Sequence, residues 1–374
     1  MKERNYGIDL LRIVSMLMVV ITHIFRFGGV YSENLTWAGR ILIVVMDVLC
    51  LCAVNCFALI SGYVGVRPKH KFSNIISLWL LVLFYGIVFL SVFALVAPEK
   101  ITFEIVFQSL FPVLSNRYWY FTAYFALFFM MPLLNKGIQN LSDTQLRNTC
   151  ICIVALFSVI STIGNFWNES IFNLEFGYSV LWLMSLYVIG AYLKRCGDCF
   201  FKNHKVRNWF FVYVVGAFLT IISKLIIGSV SKIIGLDNSG GELFQYNSPT
   251  ILLESIGLFM AFVYLRIPTG MTKVIAYASP LAFSVYIIHC NKFVMSELFA
   301  NSFSFIIDLP VYLIPIAIIA AGIIVYIMCT LIDILRKYLF MLIRVDRFSD
   351  WLERCGHTAL KRIPNKYKKE DNES

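Results

Sequence analysis

The chain has 374 residues, 59% of them hydrophobic and only 14% charged, with a formal net charge of +10. A soluble domain carries about 45–50% apolar and about 25% charged residues, so this composition excludes an ordinary soluble enzyme and indicates a polytopic membrane protein. The positive charge does not point to nucleic acid. Lys and Arg fall in loops between apolar runs, where they orient membrane spans, so no nucleic-acid partner is expected.

About ten apolar runs are long enough to cross a hydrocarbon core of ~30 Å, near 8–27, 41–63, 74–97, 118–136, 149–167, 177–194, 209–228, 250–266, 274–297 and 310–335. The expected fold is therefore all-α: a polytopic membrane helical bundle of about ten transmembrane helices. With the N-terminus in the cytoplasm, the inner loops, helix ends and termini hold 24 of the 32 basic residues, and the outer side holds seven. Both termini are thus expected to be cytoplasmic. The stretch 101–115 is apolar but too short to span, and reads as interfacial or re-entrant. Residues 1–340 read as one integral membrane domain. Residues 341–374 read as a basic, partly disordered cytoplasmic tail lying against anionic lipid. The ten cysteines sit mostly inside apolar runs. The one Cys-x-x-Cys spacing, Cys196 and Cys199, stands alone in a predicted cytoplasmic loop, so neither a metal site nor a disulfide is expected. No cleavable signal peptide and no internal repeat are read.

The first run, DLLRIVSMLMVVITH over 9–23, carries Asp9, Arg12 and His23 in or beside an apolar helix. A charge at bilayer depth costs several kcal/mol, so such residues face a protein interior and mark function. Arg12 and His23 are eleven residues apart, which at ~100° per residue leaves them on one face, about 16 Å apart along the axis. Depth assignment gives two polar levels. The outer one holds His23, Asp47, Glu254 and His289, with Tyr286 on the same face as His289. The inner one holds Arg12 and the loop Arg67-Pro-Lys69-His70-Lys71 after Ser61 and Gly62, a small pair that permits close approach by a helix or ligand. Asp47 and Glu254 are each placed to orient a histidine, to cap a helix or to pair with an outer basic residue. The region Cys329–Asp333 reads as structural.

Four stretches in order resemble the acyltransferase-3 family of bacterial integral membrane enzymes: Gly7-Ile-Asp9-Leu-Leu-Arg12 with His23 after ten intervening residues; Asn55-Cys-Phe57-Ala-Leu-Ile-Ser61-Gly62-Tyr63; Trp119-Tyr120-Phe with Tyr124 and Pro132; and Phe283-Ser-Val-Tyr286-Ile-Ile-His289. The resemblance spans about Asn5 to the tenth run. It implies transfer of an acyl group, most often acetyl, from cytosolic acyl-CoA to a hydroxyl of an envelope glycan or lipid-linked saccharide, in the bacterial cytoplasmic membrane. It also implies that His23 is essential, with Arg12 its partner in donor handling. The loop carries one arginine, Arg67, where many members have two. On that resemblance His23, Arg12 and His289 are the catalytic candidates, while Arg12, Ser61, Gly62, Arg67 and Lys71 are the donor-binding ones. Asp47, Trp119, Tyr120, Glu254 and Tyr286 are candidates for the acceptor side or for orienting roles. Acetyl-CoA is a co-substrate; no permanently bound cofactor and no metal are expected, and the remaining partners are the acceptor and membrane lipids. The imidazole acts as general base or as a covalent acyl carrier. A transporter or flippase with a His/carboxylate proton relay is the rival reading.

Overall fold

The computed structural model describes residues 4–31, 35–66, 70–167, 169–233, 241 and 243–362. Among them there is no strand. The helices are α1 (Tyr6–Phe27), α2 (Trp37–Leu51), α3 (Ala53–Gly65), α4 (Ser73–Val96), α5 (Phe103–Leu110), α6 (Trp119–Asn140), α7 (Asp143–Ile153), α8 (Ser161–Asn165), α9 (Val180–Cys196), α10 (Lys205–Ile233), α11 (Pro249–Tyr264), α12 (Thr269–Ala278), α13 (Ala282–His289), α14 (Ile314–Leu342) and α15 (Val345–Arg362). Local chemistry sets several starts. Asn5 accepts from the Ile8 amide at the head of α1, Ser142 and Gln145 form a reciprocal capping box at α7, and Ser248 caps α11 just before Pro249.

Among the described residues, eight segments are long and apolar enough to cross a membrane, or nine if the pair Ile171–Gly177 and Val180–Cys199, bent by 78°, is one span. All ten expected runs coincide with helices, but the expected span 250–266 is the 16-residue α11. At ~1.5 Å per residue it measures about 24 Å, short of a ~30 Å core. The expected span 41–63 lies within one candidate span, Trp37–Gly65, in which Cys52 marks the junction of α2 and α3. The stretch 101–115 contains α5, eight residues long, laid on α4 where Gly86 comes close to the Ser109 carbonyl.

In lipid, apolar burial does little to drive helices together, so close backbone approach and interhelical hydrogen bonds do more of that work. Two helix pairs show this reciprocally. A Cβ on Gly62 of α3 would lie 2.0 Å from the Tyr187 carbonyl oxygen of α9, and one on Gly190 of α9 would lie 2.3 Å from the Leu59 carbonyl oxygen of α3. The pair α10 and α11 repeats the device: a Cβ on Gly216 would meet the Glu254 backbone at 2.6 Å, and one on Gly257 the Tyr213 backbone at 2.3 Å. Near the α2–α3 junction the fully buried Asn55 ties three elements. Its amide donates to the Tyr246 carbonyl (2.8 Å) and to Ser255 Oγ (3.1 Å), and its oxygen accepts from Trp182 Nε1 (3.0 Å).

Helix α1 runs through the centre, with 61% of its apolar window buried against 22% for α4, α10 and α14 at the periphery. Asp333, read as structural, is fully buried; it accepts from Tyr85 OH (2.7 Å) and pairs with Arg336 through two hydrogen bonds. The first part of the basic tail is helical. Residues 345–362 form α15, whose Glu353 accepts from the Phe72 and Ser73 amides at the head of α4, a carboxylate at a helix N-terminus. Arg67 and Lys69 of the expected donor loop, and the last residues 363–374, lie outside the described residues.

Gly62→Ala should cost at least the ~1–3 kcal/mol typical of overpacking, read as a lower unfolding temperature in detergent. Gly137→Ala is the control, because nothing lies within 4 Å of the added methyl. Equal behaviour of the two would refute the close-approach account.

Candidate active site

Helix α13 ends at His289, and Cys290 turns the chain out of the helix. This places the His289 ring against His23 on α1: His23 Nδ1 lies 2.9 Å from His289 Nε2. His289 is fully buried, and its Nδ1 lies 2.6 Å from the Val285 carbonyl oxygen. A carbonyl only accepts, so Nδ1 of His289 carries the proton and its Nε2 holds a lone pair. In the neutral pair Nδ1 of His23 therefore donates to that lone pair, which leaves His23 Nε2 as an unprotonated base. Cys290 Sγ completes the group, 3.4 Å from His23 Nδ1 and 3.4 Å from His289 Nε2. The turn is held by Tyr118, whose hydroxyl donates to the Ile287 carbonyl (3.2 Å) and accepts from Asn291 Nδ2 (3.3 Å).

At the other end of α1, Asp9 is 4% exposed and gathers three donors: Arg4 Nε (2.5 Å), Arg12 Nη1 (2.7 Å) and Ser279 Oγ (3.2 Å). These residues border a cavity of about 480 Å³, lined also by Ser61, His70, Lys71, Tyr120 and Tyr124. Burial among Phe72 and Phe128 holds the His70 imidazole below its ordinary value, so it enters this wall as a neutral ring. A second cavity of about 50 Å³ lies along α1 at His23, lined by Met16, Val19, Cys50, Val54, Trp119, Tyr246 and Tyr286 among others. Phe57, Tyr120 and Phe283 line both cavities and form the waist between them. The Tyr120 hydroxyl is buried there without a hydrogen-bond partner.

The structure thus brings Arg12, Ser61, Lys71 and Tyr120 to one cavity, and His23, Trp119, Tyr120 and Tyr286 to the next. His289 stands behind His23 and outside the small cavity, on the wall of an apolar groove of about 650 Å³ beside α14. Three expectations need correction. Gly62 does not line the donor cavity, because its bare Cα is taken up by the approach of α9. Asp47 orients no histidine; its Oδ2 accepts from Tyr31 OH at 2.8 Å. Glu254 is fully buried between α10 and α11, away from both histidines, with neither carboxylate oxygen hydrogen-bonded to nitrogen or oxygen. The imidazole is oriented by a second imidazole and a backbone carbonyl, not by a carboxylate. Sequence reasoning missed Arg4, Phe57 as a waist residue, Phe283 and Cys290. The visible signal for Cys290 was its place directly after the Tyr-x-x-His motif.

The site is an imidazole pair beside a small cavity that shares its wall with a larger one bordered by basic residues, inside a helical bundle with several membrane-length helices. The family described as an acyltransferase domain, acyltransferase-3, matches residues 5–332, and the chain belongs to it; the protein is a multi-pass membrane acyltransferase. No curated protein and no solved structure matches the chain.

Because Asp47 and Tyr31 share one hydrogen bond, Tyr31→Phe and Asp47→Asn should each lower stability by about 1–2 kcal/mol, and the double variant should lose less than the sum of the two. Strictly additive losses in thermal unfolding would show that the bond contributes nothing.

Proposed function

We propose that the protein moves a small acyl group, acetyl first, from acyl-CoA bound on the Arg12 side to a hydroxyl of a cell-surface glycan or lipid-linked saccharide presented at His23. In this reading the Arg12 side faces the cytosol of a bacterium and the chain lies in its cytoplasmic membrane. The observation that carries the proposal is the pair of cavities meeting at one waist on the face of α1. The larger one is bordered by Arg4, Arg12 and Lys71, cations suited to the phosphates of CoA. The smaller is apolar, sized for a short acyl group, and ends at the imidazole.

In the proposed step, His23 Nε2 takes the proton of the acceptor hydroxyl while its oxygen attacks the thioester carbonyl carbon. The carbon–sulfur bond then breaks, and the CoA thiolate recovers the proton from the imidazolium. The unpaired Tyr120 hydroxyl is the donor available to the carbonyl oxygen as it gains charge. His289 acts through His23, by fixing its tautomer and by sharing the charge of the imidazolium. An acyl-imidazole on the same nitrogen is the covalent variant of this route. The proton-relay transporter is less well supported, since such a relay calls for a carboxylate beside the histidines, and Asp47 and Glu254 lie elsewhere.

Membranes containing the wild type or His23→Ala at matched levels, given labelled acetyl-CoA, test the reading. Label should enter alkali-labile ester in the glycan or lipid-linked saccharide fraction, and His23→Ala should slow it by ~10²–10⁴. Arg12→Lys should raise the donor KM more than it lowers kcat, because a point charge replaces a planar fork. Undiminished labelling in His23→Ala would remove the imidazole from the reaction.

A further inference from the structure

The mechanism above uses His23 and His289 and leaves Cys290 unassigned. His23, His289 and Cys290 each offer one ligand atom, all within 4.8 Å of one another. We propose that Nδ1 of His23, Nε2 of His289 and Sγ of Cys290 form a binding site for a soft divalent cation of the zinc type, and that filling it switches the base off.

Three features of the site support this. Tetrahedral zinc, with bonds of ~2.0–2.1 Å to nitrogen and ~2.3 Å to sulfur, sets its nitrogens about 3.3 Å apart and its nitrogen–sulfur pairs about 3.6 Å apart. The three atoms already lie at 2.9, 3.4 and 3.4 Å, within a few tenths of an ångström of the spacing of three tetrahedral corners, and a turn of the imidazoles that exchanges their shared hydrogen bond for the metal aims them at one centre. His289 also has the support that ligating histidines require: its distal N–H points at the Val285 carbonyl, leaving Nε2 free to ligate. Finally, the ligands sit on rigid ground, two of them consecutive at the end of α13 and the third on the central helix. Two imidazoles and a thiolate are a donor set that favours zinc over magnesium or calcium.

The consequence for the base follows from the tautomer and rests on the acyl-transfer reading. On binding, Cys290 loses its thiol proton to solvent. A neutral His23 keeps one proton, and with the metal on Nδ1 that proton sits on Nε2. The lone pair facing the small cavity is then gone. The metal blocks the reaction without occupying the donor cavity.

The test uses purified full-length protein in lipid nanodiscs, titrated with Co²⁺ and then with Zn²⁺ in competition. The expected result is one metal per chain, a near-ultraviolet thiolate-to-cobalt band and tetrahedral visible bands. Cys290→Ser should abolish the thiolate band and weaken Zn²⁺ binding by more than ~100-fold, beyond the ~10–100-fold that even supporting residues are worth; His289→Gln should weaken it similarly. The Cys196→Ala/Cys199→Ala variant, which removes the one Cys-x-x-Cys pair, should bind as the wild type does. Unchanged binding in Cys290→Ser, or binding lost only in the Cys196/Cys199 variant, would overturn the site. In the labelling assay, Zn²⁺ should inhibit the wild type at concentrations at least ten times lower than it does Cys290→Ser, each relative to its own metal-free rate. A cobalt–thiolate band at Cys290 with acyl transfer undisturbed would keep the metal site and overturn the assignment of His23 as base.

Discussion

A helix that carries Asp9, Arg12 and His23 through a hydrocarbon slab has to satisfy all three inside the protein, because the surrounding lipid offers no hydrogen bonds. The rest of the bundle is arranged around that requirement. The segment ahead of α1 folds back to bring Arg4 to Asp9, and the turn between α12 and α13 brings Ser279. The end of α13 brings His289 to His23. Partners drawn from distant parts of the chain fix the position of α1, and less buried helices such as α4 and α14 fill the periphery.

Much of the fold was legible because a spanning helix announces itself by length and apolarity. Where the structure adds to the expectation, the cause is physical. The run 250–266 is apolar enough for a span but is held to 16 residues by Pro249 at its head and by Leu265, an extended residue, at its end. The tail is basic and polar, so α15 looks solvated; it docks through Glu353, which accepts from the Phe72 and Ser73 amides 281 and 280 residues earlier in the chain, and through the Ser77–Ser349 hydroxyl pair, and no local pattern encodes those pairings.

The site was legible in part. Helical spacing placed Arg12 and His23 on one face, and equal predicted depth suggested the two histidines. Asp47 and Glu254 share the predicted depth of His23, but Asp47 bonds Tyr31 and neither hydrogen-bonds a histidine; predicted depth alone does not separate them. The waist was not readable in advance, since Phe57, Tyr120 and Phe283 come from three separate helices and look like ordinary core aromatics. The glycine contacts show the same limit: Gly62 in a Ser-Gly pair fits a ligand approach as well as a helix approach, and only the backbone of α9 at 2.0 Å from a would-be Cβ decides between them.

The waist also bears on the membrane as an insulator. The small cavity is also lined by Trp119 and Tyr246, both packed against Tyr178, whose hydroxyl accepts from Arg26 one turn beyond His23. Aromatic rings therefore border the histidine chamber on this side as well as at the waist. Within a membrane a continuous file of water would let protons run down the membrane potential. Rings packed around a buried imidazole narrow the space such a file would need, so the aromatics that shape the chamber also limit a leak through it.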